Sequence, residues 1–145
     1  MEINFNKVHT AKDLAISTII LIAGIGLFFV NKGLGTTITV CGLAMFFLYK
    51  GGYKKDGQGV LLTRKSEDLC KSCKASIVDY LNGKDVTPQV RKGNDGGSVR
   101  LDVFYNTSEG VAYAQLYDFR NYNYEPETEV VELHSPKADK LIAQL

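Results

Sequence analysis

Two cysteines three residues apart, Cys70 and Cys73, are the side chains of this sequence whose type and spacing most readily do chemistry. A C-x-x-C pair can exchange a disulfide, one thiolate attacking and the other resolving, and Lys71 and Lys74 beside it favour the thiolate. The pair can also supply two of the four ligands of a structural zinc site, with His134 as a third. Several features weigh against both. The segment reads as a helix starting at Ser66 or Glu67, which sets Cys70 about a turn inside it, away from the positive end of the helix dipole. No aromatic or Gly-Pro element accompanies the pair. Thr87-Pro88 comes too soon in the chain to be the Thr-Pro that faces such a pair in thioredoxin-like folds, and a fourth zinc ligand is lacking. The structural reading therefore leads: Cys73 packs in a helix stripe and Cys70 is partly exposed. No metal and no cofactor are expected.

No other catalytic constellation stands out. His9 and His134 have no Ser, Cys or acid pattern around them that makes a triad. Gly93-Asn94-Asp95-Gly96-Gly97 lacks the Gly-Lys-Ser/Thr ending of a phosphate loop and leads into no helix, so it reads as an inter-strand loop. The expectation is a protein that is not an enzyme. Two surface clusters are left. Tyr122 and Tyr124 stand beside Glu125, Glu127 and Glu129, either a charged strand edge guarded against aggregation or a partner-binding patch. Lys50, Lys54, Lys55, Arg64 and Lys65 form a basic set that either fixes membrane topology or touches anionic lipid headgroups.

The elements that must position these residues begin with two apolar runs, 14–30 and 33–49, neither holding a charged residue. Each is about 17 residues, which as helix reaches about 26 Å against a hydrocarbon core of about 30 Å. They are apolar all round rather than amphipathic, and Asn31-Lys32-Gly33 breaks them apart, with Gly33 suited to a helix C-terminus. The reading is a transmembrane helical hairpin. Lys7 and Lys12 precede it, the basic set follows it, and its turn carries only Lys32, so both termini are expected in the cytoplasm of a cell (plasma) membrane protein. Small residues mark packing faces: Gly35, Thr39 and Gly42 on the second helix, Ala23 and Gly26 on the first.

The rest divides into an N-terminal cytoplasmic tail (1–13), a Gly- and Lys-rich juxtamembrane linker (50–59) and one cytoplasmic domain (60–145). In that domain 60–63 reads as a short strand, 67–81 as a helix and 86–91 as another short strand. Val99, Leu101, Val103 and Tyr105 alternate with polar residues, and after the Asn106–Gly110 turn the alternation resumes at Val111, Tyr113, Tyr117 and Phe119. Pairing Tyr105 with Val111 puts both apolar sets on one sheet face. A strand near 129–133 follows, and Ser135-Pro136 starts a last helix with Ala138, Leu141, Ile142 and Leu145 inward. The fold class is thus an α+β membrane protein: a two-helix hairpin followed by a small domain whose antiparallel sheet carries two helices. A strand-rich domain closing on a helix behind a membrane hairpin is similar in outline to bacterial PH-like proteins; the helix at 67–81 departs from that pattern, and no function is carried across.

A formal net charge of +1 gives no electrostatic case for nucleic acid. The partners expected are the lipid bilayer, a membrane or cytoplasmic protein, and further copies of the chain. Three classes of function remain open: a non-enzymatic binding or assembly module at the inner face of the membrane, which leads; a dithiol redox or metal-binding membrane protein using Cys70 and Cys73; and a holin-like permeabilising hairpin. Neither apolar run offers an ionisable group for a transport path.

Overall fold

A computed structural model describes residues 3–145; Met1 and Glu2 of the N-terminal tail lie outside the described residues. The chain is an α+β fold with two N-terminal helices and an antiparallel sheet, and it divides into two compact units. One unit is Asn6–Lys54. The other is the five-stranded sheet with its helices, Lys55–Leu145, to which Phe5 belongs.

Strand β1 (Phe5–Val8) pairs with β2 (Gly52–Lys55), both within the first unit except for Phe5 and Lys55, and between them run α1 (Ala11–Phe28) and α2 (Lys32–Leu48). Helix α1, 18 residues of apolar composition, is long enough to cross a membrane; α2 is apolar and one residue shorter. Both start earlier than the apolar runs imply, because their caps are polar residues before the runs. Thr10 and Asp13 form a capping box, Thr10 Oγ1 accepting from Asp13 N (3.1 Å) and Asp13 Oδ2 from Thr10 N (3.0 Å). Asn31 caps α2 by accepting from Leu34 N at 3.1 Å, so Gly33 lies inside α2 and does not end α1.

The helices pack antiparallel through missing side chains. Gly35 and Gly42 are buried, and a Cβ on Gly35 would strike the backbone of Phe28. The α1 side of this seam is Ser17 and Gly24, seven residues apart; a Cβ on Gly24 would come within 2.6 Å of Thr39 N. Ala23 and Gly26 are not in it. Both are exposed, and a Cβ on Gly26 meets nothing within 4 Å, because α1 is rotated from the face those two residues define.

In the second unit the sheet order is β3 (Thr63–Cys70), β4 (Ser98–Asn106), β5 (Val111–Arg120), β6 (Asn123–Pro126), with β7 (Val131–His134) also paired to β5. Residues 63–70 are strand, not the first half of a helix: all eight pair with β4, from Thr63 opposite Tyr105 to Cys70 opposite Ser98. Ser66, Glu67 and Asp68 suit a helix start, but β4 offers eight backbone partners and a directly opposed Arg100 for Asp68 (2.8 Å). A 3-10 turn, Lys71–Cys73, leads into α3 (Lys74–Leu81). Residues 86–91 form no strand; Lys92 makes a single bridge to Leu69.

The β4–β5 register differs by one residue from the expected one. Asn106 faces Val111 and Tyr105 faces Ala112. The turn is tighter than the pattern implies: Asn106 Oδ1 accepts from Glu109 N (3.0 Å) and Gly110 stands at φ +62°, where Ser135 leaves no room for a Cβ. A one-residue slip exchanges faces. Ala112, Ala114 and Leu116 join Leu69, Val99, Leu101 and Val103 in the core, under Ile77, Tyr80 and Leu81 of α3 and Ala138 and Leu141 of α4 (Lys137–Gln144). Tyr113 goes to the opposite face. There it is buried, meeting Phe5 edge-on at 5.5 Å while Phe5 stacks on Phe104 at 4.0 Å.

The glycine seam yields a prediction. Gly35→Ala forces a methyl onto backbone and should destabilise the helix pair by about 1–3 kcal/mol. Gly26→Ala should leave it unchanged or raise it by up to about 1 kcal/mol through helix propensity. Thermal unfolding of the full chain followed by far-UV circular dichroism separates the two.

Candidate functional site

Cys70 is the last residue of β3 and Cys73 the residue before α3, so the pair straddles a 3-10 turn rather than sharing a helix stripe. Both are buried free thiols, at 6% and 3% exposure, and Cys70 is not partly exposed as its assumed helical position required. Each sulfur is tied to the segment that follows α3. Cys70 Sγ donates to Lys92 O (3.7 Å), Cys73 Sγ donates to Arg91 O (3.8 Å), and Arg91 N donates back to Cys73 Sγ (3.3 Å). The Arg91 guanidinium donates to Ser72 Oγ (2.8 Å) and to Asp95 Oδ2 (3.2 Å). Asp95 also accepts from Ser72 Oγ and N, which pulls its carboxyl below the usual range. The two thiols therefore hold Arg91 and Lys92 against the end of β3, while Ser72 and Arg91 hold Asp95. Among the described residues no three His, Cys, Asp or Glu side chains gather as a metal site, and His134 lies on β7, where its Nε2 meets Glu132.

The acidic and aromatic cluster is not one patch. Glu127 meets Lys74 at 3.0 Å and also binds Arg120, and both cations meet Asp118, Lys74 at 2.9 Å and Arg120 at 3.2 Å. Asp118 is buried on the core face, and the Lys74 ammonium holds its carboxyl below the usual range; Asp118 in turn holds Lys74 above its own. Tyr124 is engaged on the other face. Arg100 lies 4.0 Å over its ring, and its hydroxyl is 3.1 Å from Ser98 Oγ. Glu125 is half-buried and Glu129 exposed.

Tyr122 is different. Arg120 pairs with Asn123, so Asn121 and Tyr122 alone make the β5–β6 turn, at φ +52° and +61°. Two left-handed residues in a two-residue hairpin are the type I′ geometry, which favours Asn then Gly. Asn121 fits. Tyr122 is a bulky side chain in a region L-residues avoid, and it is 97% exposed. Phe119, 45% exposed, stands three residues before it. The signal was present as Asn-Tyr-Asn between two strand patterns, but without a glycine it carries little turn information.

The basic set also divides. Lys55 faces Glu132 (3.8 Å) and the Tyr113 ring, Arg64 binds Asp102 (2.9 Å) over the Phe104 ring, and Lys65 meets Glu67 (3.9 Å) and the main-chain oxygen of Leu145. Lys50 and Lys54 belong to the other unit, where no acidic side chain meets them among the described residues.

Two predictions follow from these geometries. Asp118→Asn should cost about 1–3 kcal/mol at pH 7, as a buried charge-assisted partner of Lys74 is lost. Because the folded carboxyl titrates below its unfolded value, its contribution is present above about pH 4 and disappears as pH falls through the folded value; denaturant melts of both proteins should converge there. Cys70→Ala with Cys73→Ala should leave the domain folded, with a loss of about 1–3 kcal/mol in the same measurement. Tightly bound zinc in the purified wild type would overturn the structural assignment of the thiols.

No protein family, curated protein or solved structure matches this chain, so its sites are read from their own geometry.

Proposed function

We propose that this chain is a small integral membrane protein in which α1 and α2 cross the bilayer as a hairpin and the sheet domain acts as a non-enzymatic binding or assembly module on the cytoplasmic side. The apolar surface of the helix pair supports the first part. Ile19 and Ile22 are each 65% exposed, and Val40, Phe47 and Leu48 are open as well. The hydroxyls of Ser17, Thr36, Thr37 and Thr39 all donate to carbonyls one turn back, at 2.7–3.0 Å, so none of them needs water. Lys7, Lys12, Lys50 and Lys54 flank the open end of the pair against Lys32 alone at its turn, which favours both termini inside.

The observation that carries the binding role is Tyr122. A tyrosine held left-handed costs of order 1 kcal/mol, and glycine would remove that strain. A strained, fully exposed aromatic at a hairpin tip makes sense as an anchor that inserts into a partner, since such rings supply contact area at low entropic cost.

A photo-crosslinking residue at position 122, in native membranes, should capture one heterologous protein. Tyr122→Gly should abolish capture from a neighbouring crosslinker at Phe119 while the unfolding temperature holds or rises, because Asn-Gly is the better turn. A fall in stability with capture unchanged would make Tyr122 structural, and a ladder of self-adducts would favour the self-associating hairpin. Topology is read in the same cells on a cysteine-free background. An impermeant thiol reagent should label Lys32→Cys and miss Ser108→Cys, which is exposed in the domain; the reverse pattern would invert the assignment.

A further inference from the structure

We propose that the open end of the helix pair is a binding site for anionic phospholipid headgroups, made by Lys7, Lys12, Lys50 and Lys54 and not by Lys55, Arg64 or Lys65. The inference rests on the reading that α1 and α2 span a bilayer. The unit Asn6–Lys54 contains five lysines and a single acid, Asp13. Four of the five lysines flank the segments where the chain enters α1 and leaves α2; Lys32 is at the turn.

The lone acid is already committed. Asp13 Oδ2 accepts from Thr10 N at 3.0 Å and from Gly51 N at 2.7 Å, a contact across 38 residues of chain. That bond joins the residue after Lys12 to the residue after Lys50, and the β1–β2 pairing gathers Lys7 and Lys54 into one ribbon. The Asp13–Gly51 bond and the strand pairing thus bring together the backbone segments that carry the four lysines. Among the described residues none of the four meets a carboxylate, and Lys7, Lys12 and Lys50 are exposed.

The sheet unit treats its cations differently. All four arginines, Arg64, Arg91, Arg100 and Arg120, meet an aspartate there, and Lys55, Lys65, Lys74, Lys84 and Lys92 each meet an acid, whereas among the described residues Lys71, Lys137 and Lys140 make no such ion pair. Lysines on adjoining backbone segments, with no carboxylate partner among the described residues, leave their charge available to a surface of phosphate groups. The neighbouring exposed side chains are those of an apolar helix pair, with Tyr49, 54% exposed, at the end of α2 where an interfacial aromatic sits. A lysine close to an anionic membrane surface contributes about fivefold in binding at low salt.

The test uses the full chain purified in detergent, where topology during insertion has no influence, titrated with phosphatidylglycerol or phosphatidylcholine and read by native mass spectrometry. Wild type should retain phosphatidylglycerol over phosphatidylcholine. The quadruple K7Q/K12Q/K50Q/K54Q variant should lose that preference, each pairwise variant should lose part of it, and the corresponding quadruple Lys→Arg variant should keep it. K55Q/R64Q/K65Q should match wild type. Equal retention by the quadruple Gln variant, or an equal loss in the K55Q/R64Q/K65Q variant, would overturn the assignment. If the quadruple variant does not fold, the pairwise variants decide. Alkaline carbonate extraction of cells separates this inference from its premise: release of wild type would refute the membrane reading itself, whereas retention without phosphatidylglycerol preference refutes only the lysine site.

Discussion

The sheet domain depends on one alignment, Asn106 opposite Val111. Because side chains alternate across a strand, that pairing decides which half of β5 lines the core. It selects Ala112, Ala114 and Leu116, two of them small. Small residues on the central strand leave room for the side chains of α3 and α4, so Ile77, Tyr80 and Leu141 can all be fully or nearly fully buried on one sheet face. The bulky residues of the same strand, Tyr113 and Tyr117, are sent to the other face, where Phe5 and Phe104 cover the first of them. The alternative register would bring three rings under the helices and two alanines into the open. Gly110 enforces the choice: its positive φ and its contact with Ser135 close the turn at four residues.

Charge follows the same logic of alignment. With Asp68 opposite Arg100 and Asp102 within reach of Arg64, the face of the sheet opposite α3 and α4 is laced by cross-strand pairs, each arginine lying over an aromatic ring. On the core face Asp118 falls at the end of the apolar set, where Lys74, the first residue of α3, reaches it. That contact locates the start of α3 over the sheet, while Tyr80 binds the carbonyl of Lys137 and ties α3 to α4. The helix layer is therefore anchored by one ion-pair network and one phenol, with apolar packing between them.

The helix pair is organised by absence instead. Gly24, Gly35 and Gly42 let two backbones approach until a methyl would collide, and this seam also takes in Ser17 and Thr39, whose hydroxyls bond back to their own helices. The surface left outside is mostly apolar, with Thr18, Thr36 and Thr37 among its polar members.

Some of this was legible locally. The two apolar runs and the polar break between them follow from side-chain solvation alone, as does the last helix after Ser135-Pro136 and the alternation at 99–105. A residue's preference for water or a turn is a property of the residue and its neighbours in sequence. The misread parts all hinge on a distant partner. Thr63–Cys70 is a strand because β4 lies beside it; its own residues suit a helix start. Gly24 rather than Gly26 faces α2 because the seam is set by rotation of one helix against the other. Lys55 and Arg64 looked equivalent to Lys50 and Lys54 in a count of basic residues, yet tertiary structure brings Glu132 and Asp102 to the first two, and among the described residues no acid to the other two. Even the cysteines changed meaning this way, since burial against residues 91–93 depends on a loop twenty positions along the chain. Local chemistry determined where the chain is apolar, helical or turning; only the meeting of remote segments decided register, facing and which charges are satisfied, because those are set by partners the local sequence does not contain.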